Sequence, residues 1–153
     1  MAVHVINEHP GIDSSIEHSC VLAGEQLLRA SDKDNHQFTI LLTTDDAVRE
    51  LNHTYRHRDK PTNVLSFAFE ILEEPFQTLI GSKELGDIVI SCDRAIAEAG
   101  EYNCTLLQRL IWLIVHGFLH LLGYDHEASE QEAEIMFRKE QELLSVLTAD
   151  DDS

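Results

Sequence analysis

Three histidines, His116, His120 and His126, fall within the string His-Gly-Phe-Leu-His-Leu-Leu-Gly-Tyr-Asp-His that covers residues 116–126. His116 and His120 are four residues apart, so on a helix both imidazoles leave the same face, one turn above the other. Gly123 is the residue type that ends a helix in a left-handed conformation and reverses the chain, which can swing His126 back towards the first two. Three neutral imidazoles converging in this way leave one position of a tetrahedral Zn²⁺ open, the arrangement of a catalytic rather than a structural site. The chemistry is polarisation of a substrate oxygen or activation of water.

The bland alternative is a pair of hydrogen-bonded core histidines, since the chain has nine histidines. The segment before His116, Leu110-Ile111-Trp112-Leu113-Ile114-Val115, is apolar on every face and implies a buried helix. Two imidazoles at the end of such a helix must be satisfied or their desolvation is uncompensated, and a metal satisfies them. The spacing His-x₃-His-x₂-Gly-x₂-His is similar to that of the metzincin peptidases. Those enzymes carry a general-base Glu directly after the first His. Here that position is Gly117, which cannot take a proton.

A length of 153 residues suits one domain with a real core. Met1–Pro10 has neither a basic start nor an apolar stretch, and the longest apolar run, Leu110–Val115, is far too short for a bilayer. Cys20, Cys92 and Cys104 are odd in number and form no Cys-x-x-Cys, so reduced, mostly buried thiols and a cytoplasmic location are expected. The net charge of −17 alone argues against nucleic acid, but its distribution is uneven. Residues 127–153 hold nine Asp or Glu against Arg138 and Lys139, whereas Arg56-His57-Arg58-Asp59-Lys60 packs three of the eleven Lys and Arg into five positions. That basic island reads equally as an ordinary loop or as a phosphate contact.

The elements that must position these residues follow from periodicity. Val3–Ile6 reads as a strand, and Ile12, Ile16, Cys20, Ala23 and Leu27 recur at helical spacing. Gln37–Leu42 is a second strand. Thr43 with Asp46 resembles a capping box that opens a helix through Val48, Leu51 and Tyr55. Thr62–Glu70 alternates Val64, Ser66, Ala68 against Leu65, Phe67, Phe69 as a third strand; residues 72–84 read as a loop, and Leu85–Ser91 as a fourth strand whose Gly86 implies a bulge or a close backbone approach. Cys92–Glu101, Leu106–Leu122 and Ala128–Leu147 read as helices, the last with Ala133, Met136, Phe137, Leu143, Leu144 and Leu147 facing inward. Helices and strands do not alternate strictly, so the expected fold is α+β: a small, mostly four-stranded mixed sheet packed against helices.

Residues 116–126, together with Tyr55-Arg56-His57-Arg58-Asp59-Lys60-Pro61-Thr62-Asn63-Val64-Leu65-Ser66-Phe67 and the later Leu85-Gly86-Asp87-Ile88, resemble the YbeY-type endoribonucleases. The resemblance implies one domain over residues 1–153 and one Zn²⁺ per chain on His116, His120 and His126. It assigns catalysis to Arg56 and His116. It implies cleavage of single-stranded RNA in rRNA maturation, at the 3′ end of the small-subunit rRNA, and in ribosome quality control. The implied partners are rRNA, the ribosome, small-subunit ribosomal proteins and assembly factors, with no membrane and no DNA. Physically, the Arg56 guanidinium matches a phosphate with a charged, bidentate fork; the alternative is a surface Arg favoured by a helix C-terminus. Asp125 either orients a ligand imidazole or caps the turn. Asp87, Asn63 and Ser66 are weaker candidates, and the general base is unassigned. Two other classes stay open: a zinc peptidase, and a non-catalytic ribosome-assembly factor in which zinc stabilises the fold.

Overall fold

The computed structural model describes residues 2–56, 62–69 and 83–151, with the side chains of Arg56 and of residues 148–151 outside that description. Its strands are β1 (Val3–Asn7), β2 (Gln37–Thr43), β3 (Val64–Ala68) and β4 (Glu84–Ser91). Its helices are α1 (Ser14–Ala30), α2 (Asp45–Arg56), α3 (Cys92–Glu101), α4 (Leu106–Leu121) and α5 (Glu130–Asp151). The sheet has the order β1-β2-β4-β3, parallel except for β3, which runs antiparallel to β4 at the edge. The expected α+β fold with a four-stranded mixed sheet is the one observed.

Strand alternation sends side chains to two covered faces. On one, Phe38, Ile40, Leu42, Ile88 and Ile90 meet the buried residues of α1, α4 and α5 in the main core. On the other, Leu65 and Val89 pack with Val48 of α2. The start of α2 is tied to the start of α3: the Asp45 carboxylate accepts from Ser91 Oγ at 3.0 Å and from Arg94 Nε at 2.8 Å, while its backbone N–H donates to Asp93 at 2.7 Å.

α4 is the central helix. A capping box opens it, with Thr105 Oγ1 accepting from the Gln108 N–H and Gln108 Oε1 accepting from the Thr105 N–H. It ends as expected at Gly123, whose φ of +100° is a conformation that a side chain would strain. The Tyr124 N–H reaches back to the Leu119 carbonyl and the Gly123 N–H to that of His120, which together make a Schellman closure.

Some expectations shift. The cap of α2 is Thr44, whose Oγ1 accepts from the Ala47 N–H, whereas Thr43 is the buried last residue of β2. Phe137 does not face inward; it is 59% exposed, because Met136, Glu140, Leu143 and Leu147 hold the buried line of α5. The strand expected over Thr62–Glu70 is observed as Val64–Ala68, with Glu70 outside the described residues. Of the loop expected over residues 72–84, all but Lys83 and Glu84 lies outside them too, and Glu84 already belongs to β4. Gly86 does sit at an irregularity, since the β2–β4 register slips between Gln37 and Thr39 and a Cβ at Gly86 would lie 2.1 Å from the Phe67 carbonyl oxygen.

All three cysteines are free, Cys20 and Cys92 buried and Cys104 partly so. Burial pushes the Cys20 and Cys92 thiols up to about 12 each, and the thiolate is the reactive form. Alkylation of the native protein at pH 8 should therefore modify Cys104 alone, with Cys20 and Cys92 labelled only after denaturation. Native labelling of Cys20 or Cys92 at a rate similar to that of Cys104 would show that this core opens.

Candidate metal centre

His116 and His120 project from the last two turns of α4, and His126 returns to them from the segment after the Gly123 turn. One ring nitrogen from each of the three lies within 4.8 Å of the others. The ring centroids form a nearly equilateral triangle: 4.8 Å for His116–His120 and 5.1 Å for each of the other two pairs. The triangle lies in an open cleft of about 850 Å³. Its opposite wall comes from Asn52 near the end of α2 and from residues 62–66 entering and forming β3.

The hydrogen bonds around the rings decide which nitrogens face inward. Glu140 of α5 accepts from His116 Nδ1 at 2.6 Å, so that nitrogen carries the hydrogen and Nε2 is left with its lone pair. The His120 Nε2 is the ring nitrogen directed at that lone pair. The two Nε2 atoms face each other at 3.3 Å. At that distance the pair either shares a proton or holds a cation between its lone pairs. Nitrogens on a tetrahedral zinc with Zn–N of ~2.0–2.1 Å sit roughly 3.3 Å apart. The donor set therefore fits a metal ion. Desolvation, followed by the neighbouring His116 and His126, holds the His120 pKa below the usual imidazole value despite the opposing pull of Tyr124 and Asp125. This favours the neutral, ligating form.

The remaining expected residues fall in different places. Arg56 is the last residue of α2, one turn beyond Asn52, and its side chain lies outside the described residues. Asp125 Oδ1 accepts from the Glu127 N–H at 2.9 Å, which is the turn-capping alternative. Asp87 pairs with Phe67 and so points to the α2 face of the sheet, away from the imidazoles. Burial and then Glu84 raise its pKa. Asn63 and Ser66 line the cleft, with Asn63 Nδ2 donating to Glu98 at 3.2 Å and Ser66 Oγ to the Gly117 carbonyl at 3.2 Å.

Two contacts of His116 escape the sequence reading. Glu140 is one. The other is Trp112, one turn earlier on α4, whose ring stacks on the imidazole at 5.1 Å and 14°. Arg109 lies over Trp112 at 4.4 Å and is held by Glu98 at 3.0 Å. The i, i+4 spacing of Trp112 and His116, and a carboxylate on the apolar line of α5, were the available signals.

An α+β layer with three metal-competent imidazoles at a cleft is the construction of a metal-dependent hydrolase. The family model described as Endoribonuclease YbeY matches residues 8–148. An endoribonuclease YbeY of Persephonella marina is 39% identical over 140 residues, 92% of this chain and 89% of the relative. That of Moorella thermoacetica is 47% identical over 113 residues, 72% of each. A solution structure of a Thermotoga maritima protein shares the fold at a TM-score of 0.65 and 27% identity, covering 97% of this chain and 90% of that one. This chain belongs to the endoribonuclease YbeY family.

Gly117 separates it from the peptidases with similar histidine spacing. A Cβ there would meet Ile88 Cγ2 at 2.7 Å and Ser66 Oγ at 3.1 Å, so position 117 is pressed against the sheet and a carboxylate has no room. Gly117→Ala should cost ~1–3 kcal/mol in overpacking, against ~1 kcal/mol returned by helix propensity. The net loss of up to ~2 kcal/mol should then lower the melting temperature by a few degrees, up to roughly 8 °C. An alanine variant melting at or above the parent would show that the helix has slack at this point.

Proposed function

We propose that this chain is a zinc-dependent, single-strand-specific endoribonuclease of the cytoplasm that matures rRNA, acting at the 3′ end of the small-subunit rRNA and in ribosome quality control. The observation that carries this reading is the pair of Nε2 atoms facing at 3.3 Å within the three-imidazole triangle. Zinc is favoured because three imidazoles with a fourth position open to the cleft are its catalytic ligand set, and imidazole is a poor match for Mg²⁺ or Ca²⁺. A zinc ion held by His116, His120 and His126 supplies Lewis acidity towards a phosphoryl oxygen.

The protein's own residues do the rest. His116, His120 and His126 hold the ion on the floor of the cleft, and the walls align the RNA strand across it. Arg56 follows Asn52 by one turn of α2, and Asn52 lines the cleft. A guanidinium from that position neutralises charge growing on the phosphoryl oxygens as the bond breaks. The sequence Arg56-His57-Arg58-Asp59-Lys60 carries three positive charges in five residues within a chain of net charge −17. Such a balance suits one strand in a cleft better than a duplex. The acidic remainder suits docking on basic small-subunit ribosomal proteins, in company with assembly factors. A peptidase reading loses ground because no carboxylate fits at Gly117.

Metal analysis should find about one zinc per chain, falling to near zero in His120→Ala; equal zinc in the variant would sink the ligand assignment. Arg56→Ala should keep its zinc and melting temperature while RNA cleavage drops roughly 10²-fold, the scale of one lost transition-state charge contact. Unchanged cleavage would reduce Arg56 to a surface residue. Given rRNA fragments and denatured casein side by side, the parent should cleave the single-stranded RNA, more slowly as salt rises, and leave casein intact. Casein digestion that His116→Ala abolishes, with the RNA untouched, would replace the nuclease with a peptidase.

A further inference from the structure

Among the buried residues described, Glu140 is the one that carries a charge-bearing side chain; the other polar ones are Thr43, Asn52 and Ser91. It lies on α5, on the line of Met136, Leu143 and Leu147 that docks this helix onto the core, and it is 6% exposed. Every neighbour on that line is apolar, and an isolated carboxylate there is strongly disfavoured. Its hydrogen bond is the 2.6 Å contact with His116 Nδ1. Trp112 lies flat on the same ring. The imidazole is thus gripped in its plane by Glu140 and on its face by Trp112, and Nε2 is its one nitrogen directed at His120 and the cleft. A leucine at position 140 would complete the apolar line; a carboxylate is explained by what it does to His116.

We propose that Glu140 is a positioning residue for the metal centre and that, through it, metal binding locks the C-terminal helix α5 onto the fold. The proposal rests on the three-imidazole metal site. A carboxylate on the far nitrogen of a ligating imidazole fixes the tautomer, orients the ring and raises its basicity. Coupling of this kind is reciprocal: whatever factor a docked Glu140 adds to metal affinity, bound metal adds to the docking of Glu140. Because that carboxylate is carried by a helix that reaches the core through a single apolar line, the centre reports on the seating of α5, and α5 on the centre. His126 is exposed and follows the short turn after Gly123, with its Nε2 3.9 Å from the exposed Glu127 carboxylate and no buried carboxylate against it among the described residues.

The test compares the parent protein, Glu140→Gln, Glu140→Leu and His120→Ala. Zn²⁺ affinity is measured by competition with a chromophoric chelator, thermal unfolding of the metal-free proteins by circular dichroism, and protection of the α5 amides by hydrogen exchange with and without Zn²⁺. Glu140→Leu should bind Zn²⁺ 10–100-fold more weakly than the parent, while its metal-free form melts at the same temperature or higher. Glu140→Gln, which keeps an acceptor for Nδ1–H without the charge, should fall between the two. Zn²⁺ should slow exchange along α5 in the parent and do so far less in Glu140→Leu. A merely structural carboxylate would move affinity and metal-free stability in the same direction. Unchanged Zn²⁺ affinity in both Glu140 variants, or α5 exchange indifferent to Zn²⁺ in the parent, would overturn the proposal. Failure of the parent itself to bind Zn²⁺ any better than His120→Ala would instead overturn the metal site on which it rests. Should Glu140→Leu not fold, Glu140→Gln with its own affinity and exchange data decides the matter.

Discussion

The seat of α4 on the sheet at Gly117 is the contact on which the rest depends. With no side chain at that position, the helix backbone comes down onto Ile88 and Ser66, and the Gly117 carbonyl takes a hydrogen bond from Ser66 Oγ. That contact fixes both the height and the rotation of α4 over β3 and β4. His116 precedes Gly117 and His120 follows it by three residues, so the seat also sets the direction in which the imidazoles leave the helix. The same absence of a side chain that removes the peptidase carboxylate thus builds the platform for the three imidazoles. One residue settles two questions, how the helix packs and which chemistry the site lacks.

Around that seat the structure uses short-range devices for the ligands and long-range ones for their support. The capping box at Thr105 and the closure at Gly123 define α4 from start to finish, and the closure brings His126 back within 5.1 Å of both partners. Support comes from elsewhere in the chain. Glu140 arrives from α5, and Glu98 of α3 holds Arg109, which lies over Trp112 on the back of His116. Glu98 also accepts from Asn63, so the outer contacts of His116 connect to the far wall of the cleft.

This division explains what the sequence could and could not reveal. The clustering of the three histidines was legible because their geometry is local: a four-residue helical spacing, a glycine that reverses the chain, and a third His three residues later. The sheet was legible because its strands alternate or run apolar between turn residues. Glu140 was not, because its partner is 24 residues away and the contact depends on how α5 lies against α4. A signal did exist, since position 140 falls on the Met136–Leu143–Leu147 line where an apolar residue belongs. Phe137 went wrong for the opposite reason: Ile135, Met136 and Phe137 are consecutive and apolar, and only tertiary packing selects Met136 for the core. Thr43 and Thr44 are chemically equivalent caps, and the extent of β2 chooses between them.

The central claim is that three imidazoles, and no other side chain, hold one zinc ion on this site. X-ray absorption at the zinc edge of the stoichiometrically loaded protein reads that shell directly. The account predicts a four-coordinate shell of nitrogen and oxygen scatterers at ~2.0 Å, with outer-shell multiple scattering from three imidazole rings and no sulfur. A sulfur shell at ~2.3 Å, or an imidazole count below three in the loaded protein, would contradict it.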